Sequence, residues 1–305
     1  MTDLTHPAPQ FSPIDAEKLA KDIFGVTGSA SALDSERDCN YRLKTESDAG
    51  WILKIVNASE PKVESEFQTA LFRHLANGNS KLAVPYLKPS LSGEMLASVT
   101  AADGENHAVR LVGWLPGTPM AQVTRTFELM RNLGRSLGEL DHALQGFIHP
   151  GAVRELDWDL RHAGRARTRL HFVGDADKRA LLERFITRFE TLVAPKLAGL
   201  RAQVIHNDAN DWNILVDKND NEKIAGLIDF GDAVHTVLIA EVAIACAYAA
   251  LDTEDPIGAA AALASGFHEK YPLKEEEVDL LFDLIAMRLV TSVTFSASRR
   301  DQTED

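Results

Sequence analysis

Three side chains that carry oxygen ligands surround one predicted hairpin in the second half of the chain. Asn213 comes directly before one apolar strand, and Asp229 comes directly after the next. The polar segment 217–222 predicts a turn between these strands, so antiparallel pairing would bring Asn213 and Asp229 to the same end of the hairpin. Asp208 lies on the loop that leads into that end. Carboxylate and amide oxygens suit Mg²⁺ with phosphate better than zinc, so the pattern predicts phosphate chemistry.

These residues resemble two motifs of the protein-kinase-like superfamily. Residues 206–208, His-Asn-Asp, together with Asn213 match its catalytic-loop pattern H-x-D-x4-N, and residues 229–231 match its metal-binding pattern D-F-G. The resemblance implies that Asp208 accepts the proton of the attacking hydroxyl group. It also implies that Asn213 and Asp229 hold Mg²⁺ against the phosphates of a nucleoside triphosphate.

Two neighbouring residues are predicted to support this site. His206 fits a residue that braces the loop better than one that catalyses, because the superfamily assigns proton transfer to the aspartate. Asp232 is a candidate for a second metal ligand or for its support, and it could equally cap the segment that follows.

The first half of the chain contains residues that resemble the nucleotide-binding parts of the same superfamily. Lys54 lies inside an apolar predicted strand and resembles the lysine that contacts phosphates. A carboxylate on the next helix is expected to pair with it, and Glu66 fits this role better than Glu64. The segment from Val112 to Trp114 resembles the hinge whose backbone holds the purine ring.

The loop expected to cover the phosphates departs from the protein-kinase pattern, because residues 31–40 contain no glycine. Aminoglycoside-phosphotransferase-like enzymes often use a polar, serine-containing loop at this place, which makes Ser35 a candidate nucleotide contact. An A-P-E signature is also missing after Asp229. Both departures favour a small-molecule kinase over a protein kinase.

The resemblance narrows to the hydroxylysine-kinase-like members of the aminoglycoside phosphotransferase family. Residues 33–43, with the sequence LDSERDCNYRL, match their stretch s-E-R-D-x-N-f-x-L. Matches at 133–141, 149–150 and 158–160 extend the resemblance over nearly the whole chain. The resemblance implies that the acceptor is 5-hydroxylysine or a similar amino alcohol and that ATP or GTP donates the phosphoryl group.

Other functions remain open at this point. A kinase for aminoglycosides, amino sugars, homoserine or choline fits the same motifs, and so does a catalytically silent, nucleotide-binding pseudokinase domain. Residues 134–138 spell the hydrolase pattern G-x-S-x-G, but the helical periodicity before them predicts that Ser136 lies on a helix rather than on a nucleophile elbow. Residues 217–222 begin like a calcium-binding loop, yet Glu222 stands where that loop requires glycine.

The order of predicted elements indicates an α+β protein with the two-lobed, protein-kinase-like fold. Strands and one strong amphipathic helix at 63–76 dominate the first part, and the Pro- and Gly-containing break at 115–119 suggests a boundary. We expect a small, β-rich nucleotide-binding lobe over 1–113. A larger, helical lobe for catalysis and substrate binding is expected over 114–305.

Composition limits the partners and the compartment. The net charge of −13 on 305 residues disfavours nucleic-acid binding, and two cysteines exclude a disulfide scaffold. The apolar run 233–251 has Glu241 near its centre, so we expect a buried helix rather than a membrane span. The first residues lack the basic and apolar regions of a signal peptide. We therefore expect a cytoplasmic protein whose partners are a nucleoside triphosphate and a small hydroxylated amine, and the sequence carries no signature of an oligomeric state.

Overall fold

The computed structural model describes residues 7–35, 37–46, 50–77 and 82–304, which form two compact units. The described residues of the first unit fall within Met1–Asn79, Ala83–Pro116 and Ile148–Val153. Those of the second unit fall within Ser80–Leu82, Gly117–Phe147 and Arg154–Asp305. Both units contain strands and helices, which confirms the expected α+β class.

The first unit is built on one antiparallel sheet. In the described part of this unit, strands pair in the order β1-β2-β3-β6-β4, and β5 adds to β6. The register aligns Lys54 with Asn40 on one side and with Arg110 on the other, so Lys54 lies in a central strand. The elements are α1 (Pro13–Phe24), β1 (Ser29–Leu33), β2 (Cys39–Lys44), β3 (Trp51–Ile55), α2 (Lys62–Asn77), β4 (Leu87–Lys88), β5 (Ala97–Thr100) and β6 (Asn106–Gly113).

Local signals explain where α1 begins and ends. The hydroxyl of Ser12 accepts a hydrogen bond from the backbone N–H of Asp15, and the Asp15 carboxylate accepts one from the Ser12 backbone. Gly25 ends the helix with a φ of 66°, a left-handed conformation that glycine adopts without strain. The buried face of α1, which includes Phe24, shares one hydrophobic core with β2, β3 and β6. This core supports the strand that carries Lys54.

The second unit is mainly helical, with two small sheets. In its described part, one sheet has the order β10-β9-β7 and the other pairs β11 with β8, and all of these pairs are antiparallel. The elements are β7 (Thr118–Pro119), α3 (Phe127–Ala143), α4 (Ala166–Arg169), α5 (Ala176–Arg188), α6 (Ala194–Leu197), β8 (Ala202–Ile205), β9 (Ile214–Val216), β10 (Ile224–Leu227), β11 (Val234–Val237), α7 (Ile239–Ala249), α8 (Pro256–Lys270) and α9 (Glu275–Glu304).

The predicted hairpin forms from β9 and β10, with Leu227 aligned to Ile214. The helix expected within the apolar run 233–251 begins at Ile239, and before it Val234–Val237 forms strand β11, which the sequence did not predict. Between α3 and α5, a tight 3₁₀ segment at Leu160–Arg165 is followed by the single turn of α4.

Helices α3 and α8 approach each other at glycines. A Cβ on Gly134 would lie 2.0 Å from the backbone oxygen of Leu263, and one on Gly266 would lie 2.0 Å from the backbone oxygen of Arg131. Only glycine permits backbones to come this close. The G-x-S-x-G segment is therefore part of a helix–helix contact, and Ser136 lies on α3 as expected.

Helix α9 is long and apolar enough to cross a membrane, by length and composition alone. Half of its apolar window, within Glu275–Arg300, is buried inside the protein, and the core helix of a water-soluble protein passes the same test. Helix α7 is shorter and buried on all sides, with Glu241 fully enclosed. The core packing of these two helices brings α9 and α7 together.

Candidate active site

The segment 206–213, which carries the H-x-D-x4-N pattern, connects the two small sheets of the second unit. Strand β8 leads into it and β9 leaves it. The backbone N–H of Ile228 donates to the carbonyl of Asn213 at 2.9 Å. This bond extends the hairpin by one step and places Asn213 beside the start of the segment that contains Asp229. The loop that contains Asp208 therefore ends where the predicted metal ligands meet.

The carboxylate of Asp208 is held by three side chains. Its Oδ2 accepts hydrogen bonds from the amide nitrogens of Asn210 at 2.9 Å and Asn213 at 2.8 Å. Its Oδ1 accepts one from Nη2 of Arg288 at 2.9 Å. The Asp208 side chain is still 21% exposed. The carboxylate is thus fixed in orientation and accessible to a small molecule.

The surroundings of Asp208 raise its pKa to about 7. Burial is the largest cause, because an ionised carboxylate loses hydration there. The ion pair with Arg288 lowers the pKa but does not offset burial, and the charges of Asp232 and Asp229 raise it further. A carboxylate that titrates near neutrality is suited to exchange a proton at physiological pH.

The His206 ring is held in the loop by two hydrogen bonds. Its Nδ1 accepts a hydrogen bond from the backbone N–H of Asp208 at 3.2 Å, so Nε2 carries the proton and donates to the carbonyl of Ile228 at 3.0 Å. The ring is fully buried and meets Phe230 edge-on at 4.5 Å. His206 thereby links the loop that contains Asp208 to the segment that contains Asp229.

One buried acid that sequence reasoning did not assign to the site, Glu241, contacts the loop, and the charge of a second buried acid, Asp141, interacts with Glu241. Glu241 on α7 accepts a hydrogen bond from the backbone N–H of Asn207 at 3.1 Å, and Asn207 has a positive φ of 64°. Burial raises the pKa of both Glu241 and Asp141 on α3, and the charge of Glu241 adds to the rise at Asp141. Glu241 therefore helps to hold the left-handed turn just before Asp208. The only signal in the sequence is an acid in an otherwise apolar run.

Asp229 and Asp232 form the second acidic element of the site. Asp229 has a φ of 59°, and its carboxylate accepts a hydrogen bond from the backbone N–H of Gly231 at 3.2 Å. The pKa of Asp232 is raised, mainly by burial and further by the charge of Asp229, against the opposing effect of Arg154. The guanidinium of Arg154 donates to the carbonyls of Gly231 and Ala233 and so holds the backbone on both sides of Asp232.

Asn213 and Asp229 offer a donor set that fits Mg²⁺. The amide nitrogen of Asn213 is used by Asp208, so the planar amide directs its oxygen away from that carboxylate. Within the described residues, no group of three or more His, Cys, Asp or Glu side chains could hold a metal ion by itself. Mg²⁺ commonly takes one or two protein ligands and completes its shell with phosphates and water. The pair matches that pattern.

In the first unit, Lys54 has a different partner from the one predicted. Its Nζ lies 2.9 Å from Oδ2 of Asp38, which directly precedes β2. Glu66 pairs instead with Lys62 at 3.3 Å on the surface of α2 and is 47% exposed. The predicted pair between Lys54 and Glu66 is therefore wrong, because position 66 faces solvent while positions 65, 67 and 68 of the same helix are buried.

The predicted hinge segment, Val112 to Trp114, uses backbone N–H groups in hydrogen bonds within the first unit. The backbone N–H of Gly113 donates to Tyr86 and that of Trp114 donates to Gly50, so these two donors cannot bind a purine. Val112 is buried in β6. The Trp114 ring is covered by the guanidinium of Arg42 at 3.7 Å.

In the same unit, Ser35 is exposed, and its hydroxyl accepts a hydrogen bond from the backbone N–H of Asp38 at 3.2 Å. This hydrogen bond connects Ser35 to the aspartate that pairs with Lys54.

Comparison with known proteins identifies the family to which this chain belongs. Residues 29–278 match the model of the "Phosphotransferase enzyme family". The chain belongs to this phosphotransferase family. The hydroxylysine kinase of Xenopus laevis is 30% identical over 96% of this chain and 84% of its own length, and that of Mus musculus is 26% identical over 95% and 82%. The chain is therefore an enzyme that transfers phosphoryl groups to hydroxyl acceptors.

Solved structures agree on the fold. An amicoumacin kinase in complex with AMP-PNP, Ca²⁺ and its ligand has a TM-score of 0.74 at 15% identity, over 95% of this chain and 87% of its own. A microcompartment-associated aminopropanol kinase has a TM-score of 0.73 at 20% identity, over 93% and 88%. These similarities confirm the expected kinase-like fold for this member of the family.

Proposed function

We propose that this phosphotransferase moves the γ-phosphoryl group of ATP or GTP to the hydroxyl group of an amino alcohol, and that its substrate is 5-hydroxylysine. One observation carries the mechanistic part: the Asp208 carboxylate is oriented by Asn213 beside the loop of Asp229, while one of its oxygens still has room for a further donor. In this arrangement Asp208 is the base, and His206 and Asp232 support the site.

The proposed step conserves atoms and charge. The acceptor hydroxyl donates its proton to Asp208 as its oxygen forms a bond to the γ-phosphorus, and the bond between that phosphorus and the bridging oxygen breaks to release the nucleoside diphosphate. Mg²⁺ held by Asn213 and Asp229 would supply charge stabilisation for the phosphates. Most of the rate enhancement then comes from positioning and electrostatics rather than from covalent chemistry.

In this proposal the lobe at 1–113 binds the nucleotide and the lobe at 114–305 provides catalysis and the acceptor site. Lys54 contacts the phosphates, and Ser35 lies on the loop beside them. Val112 and Trp114 border the purine with their carbonyls and side chains, since two of the hinge N–H groups are already used. Glu66 is left out of the nucleotide site.

Two lines of support favour a cationic amino alcohol as the acceptor. The four curated relatives reported as hydroxylysine kinases are 26–30% identical over nearly the whole chain, and the aminopropanol kinase shares the fold. The net charge of −13 and the acidic residue Asp232 near Asp208 also suit a positively charged substrate. A cytoplasmic location is consistent with such a metabolite.

The test is nucleotide consumption with Mg²⁺, using ATP and GTP separately, against 5-hydroxylysine, homoserine, choline, ethanolamine and an aminoglycoside. We expect turnover that depends on 5-hydroxylysine. Asp208→Asn should lower turnover about 100-fold or more while nucleotide binding persists. Asp217→Asn, in the turn of the same hairpin, should leave turnover unchanged. Turnover with another acceptor instead would show that 5-hydroxylysine is not the substrate. Nucleotide binding without any turnover would favour a pseudokinase.

A further inference from the structure

Arg288 on α9 is a buried charge that the motifs of the family do not explain. Its side chain is 2% exposed, and it lies 80 positions beyond Asp208 in the chain. Burying a guanidinium is costly, and replacing a buried ion pair by apolar residues of similar size is often neutral or stabilising. Stability alone therefore gives no reason to keep an arginine at this position.

The guanidinium of Arg288 is held on several sides. Its carbon lies 4.6 Å from the ring centre of Trp158 and 5.5 Å from that of Tyr248. Trp158 in turn stacks on Phe295, two helical turns after Arg288 on α9, at 4.5 Å. Nη1 of Arg288 donates to the carbonyl of Trp158 at 3.4 Å, and Nη2 reaches the Tyr248 hydroxyl at 3.3 Å. These contacts fix the direction in which Nη2 points at Asp208.

The hydrogen bonds of Asp208 leave one lone-pair position free for a donor group of the substrate. A carboxylate offers about two lone-pair positions on each oxygen. Asn210 and Asn213 fill both positions on Oδ2, and Arg288 fills one on Oδ1. The remaining position lies on Oδ1, next to the positive charge of Arg288. A neutral hydroxyl can donate there, whereas an ammonium group would meet a fixed like charge.

We propose that Arg288 is a positioning and specificity residue that directs the hydroxyl, rather than the ammonium group, of an amino alcohol to Asp208. An amino alcohol carries two hydrogen-bond donors, a hydroxyl and an ammonium group, which compete for an acidic site. If only Asp208, Asp229 and Asp232 were present, the charged ammonium would bind there more strongly than the hydroxyl. Arg288 removes that advantage at one oxygen. The ammonium is then left to the other acidic residues beside Asp208, of which Asp232 is the one that the proposal does not assign to Mg²⁺. This inference rests on the proposed function for the class of acceptor.

The inference predicts how a non-reactive amine should bind. Lysine is 5-hydroxylysine without its hydroxyl, so it can offer Asp208 only an ammonium. In calorimetry with Mg²⁺ and a non-hydrolysable ATP analogue, we expect Arg288→Met to bind lysine about tenfold more tightly than the wild type, because the repelling charge is gone. The same variant should lose kcat for 5-hydroxylysine far more than it changes KM. Arg288→Lys, which keeps the charge, should bind lysine as weakly as the wild type.

Arg201→Met is the matched control. Arg201 also pairs with a carboxylate of α9, Glu277 at 2.6 Å, and lies over the ring of Tyr271 at 5.1 Å. It should lose stability without any change in lysine affinity.

Unchanged or weaker lysine binding in Arg288→Met would overturn the inference, and Arg288→Gln provides the same neutral test if the Met variant does not fold. Failure of the proposed function would appear separately, as a wild type that turns over no amino alcohol.

Discussion

Two ion pairs of equal length, one in each unit, give their aspartates opposite charge behaviour. Nζ of Lys54 lies 2.9 Å from Asp38, and Nη2 of Arg288 lies 2.9 Å from Asp208. The pKa of Asp38 is nevertheless lowered from its ordinary value of 3.8, whereas that of Asp208 is raised to about 7. The distance to a cation therefore does not decide whether a carboxylate is ionised.

The difference comes from the remaining neighbours. Burial raises the pKa of both carboxyl groups. At Asp38 it is outweighed by Lys54 and by a hydrogen bond from the backbone N–H of Asn57. At Asp208 burial outweighs Arg288, and two further carboxylates add negative charge. Near neutral pH, Asp38 in the first unit is therefore ionised beside Lys54. Asp208 in the second unit is close to the midpoint of its titration.

The largest effect that tests this comparison is expected in the pH dependence of the unfolding free energy. Asp208 titrates near 3.8 when unfolded and near 7 when folded, so its contribution favours the folded state below that window. The unfolding free energy of the metal-free wild type, relative to Asp208→Asn, should fall by at most about 4 kcal/mol as the pH rises from 4 to 7.

The corresponding difference for Asp38→Asn should slope the other way. Because the folded pKa of Asp38 is lowered, its stabilising contribution is complete above about pH 4 and is lost as the pH falls through the folded value. Urea unfolding over a range that extends from below about pH 4 up to about pH 7 measures both differences, and groups shared by wild type and variant cancel. Parallel slopes for the two aspartates would contradict the comparison.

Removing the cation of the first pair should have an intermediate effect. Lys54→Met leaves Asp38, whose side chain is 11% exposed, without its main partner, and we expect a loss of about 2–3 kcal/mol in unfolding free energy. The double variant Lys54→Met with Asp38→Asn should recover most of that stability but not the nucleotide-dependent turnover. Recovery of turnover in the double variant would show that Lys54 acts only on the fold.

The smallest effect is expected at Glu66. Its ion pair with Lys62 joins two exposed side chains one helical turn apart, and such pairs contribute about 0.3–0.5 kcal/mol. Glu66→Gln should therefore change neither the thermal midpoint by more than a degree or two nor the KM for ATP. A large rise in that KM would restore Glu66 to the nucleotide site.

What the sequence could predict depended on the range of the interactions involved. The β9–β10 hairpin was predictable because alternation and a polar turn are local signals, and the H-x-D-x4-N spacing then identified Asp208 and Asn213 as a pair. The partner of Lys54 was missed because the helical wheel of α2 does not reveal which acid the loop before β2 brings to the strand. That contact depends on tertiary packing.

Arg288 and Glu241 were beyond sequence reasoning for a related reason. Glu241 is the single charged residue of α7, and Arg288 is the single charged residue between Asp283 and Arg299 of α9. Such isolation marks a residue as unusual but does not say what it touches. Strand β11 was missed because a short apolar run has no periodicity that separates strand from buried helix. In each case the pairing of distant segments overrides the local pattern.

The glycine contact between α3 and α8 has a consequence for how this protein can diverge. Gly134 leaves room for the backbone at Leu263, and Gly266 leaves room for the backbone at Arg131, so the two close approaches are reciprocal. A side chain at either position forces the helices apart, and that separation also removes the reason for glycine at the other. In descendants of this sequence, the two glycines should be inherited or lost together, as a pair of coupled positions 132 residues apart in the chain.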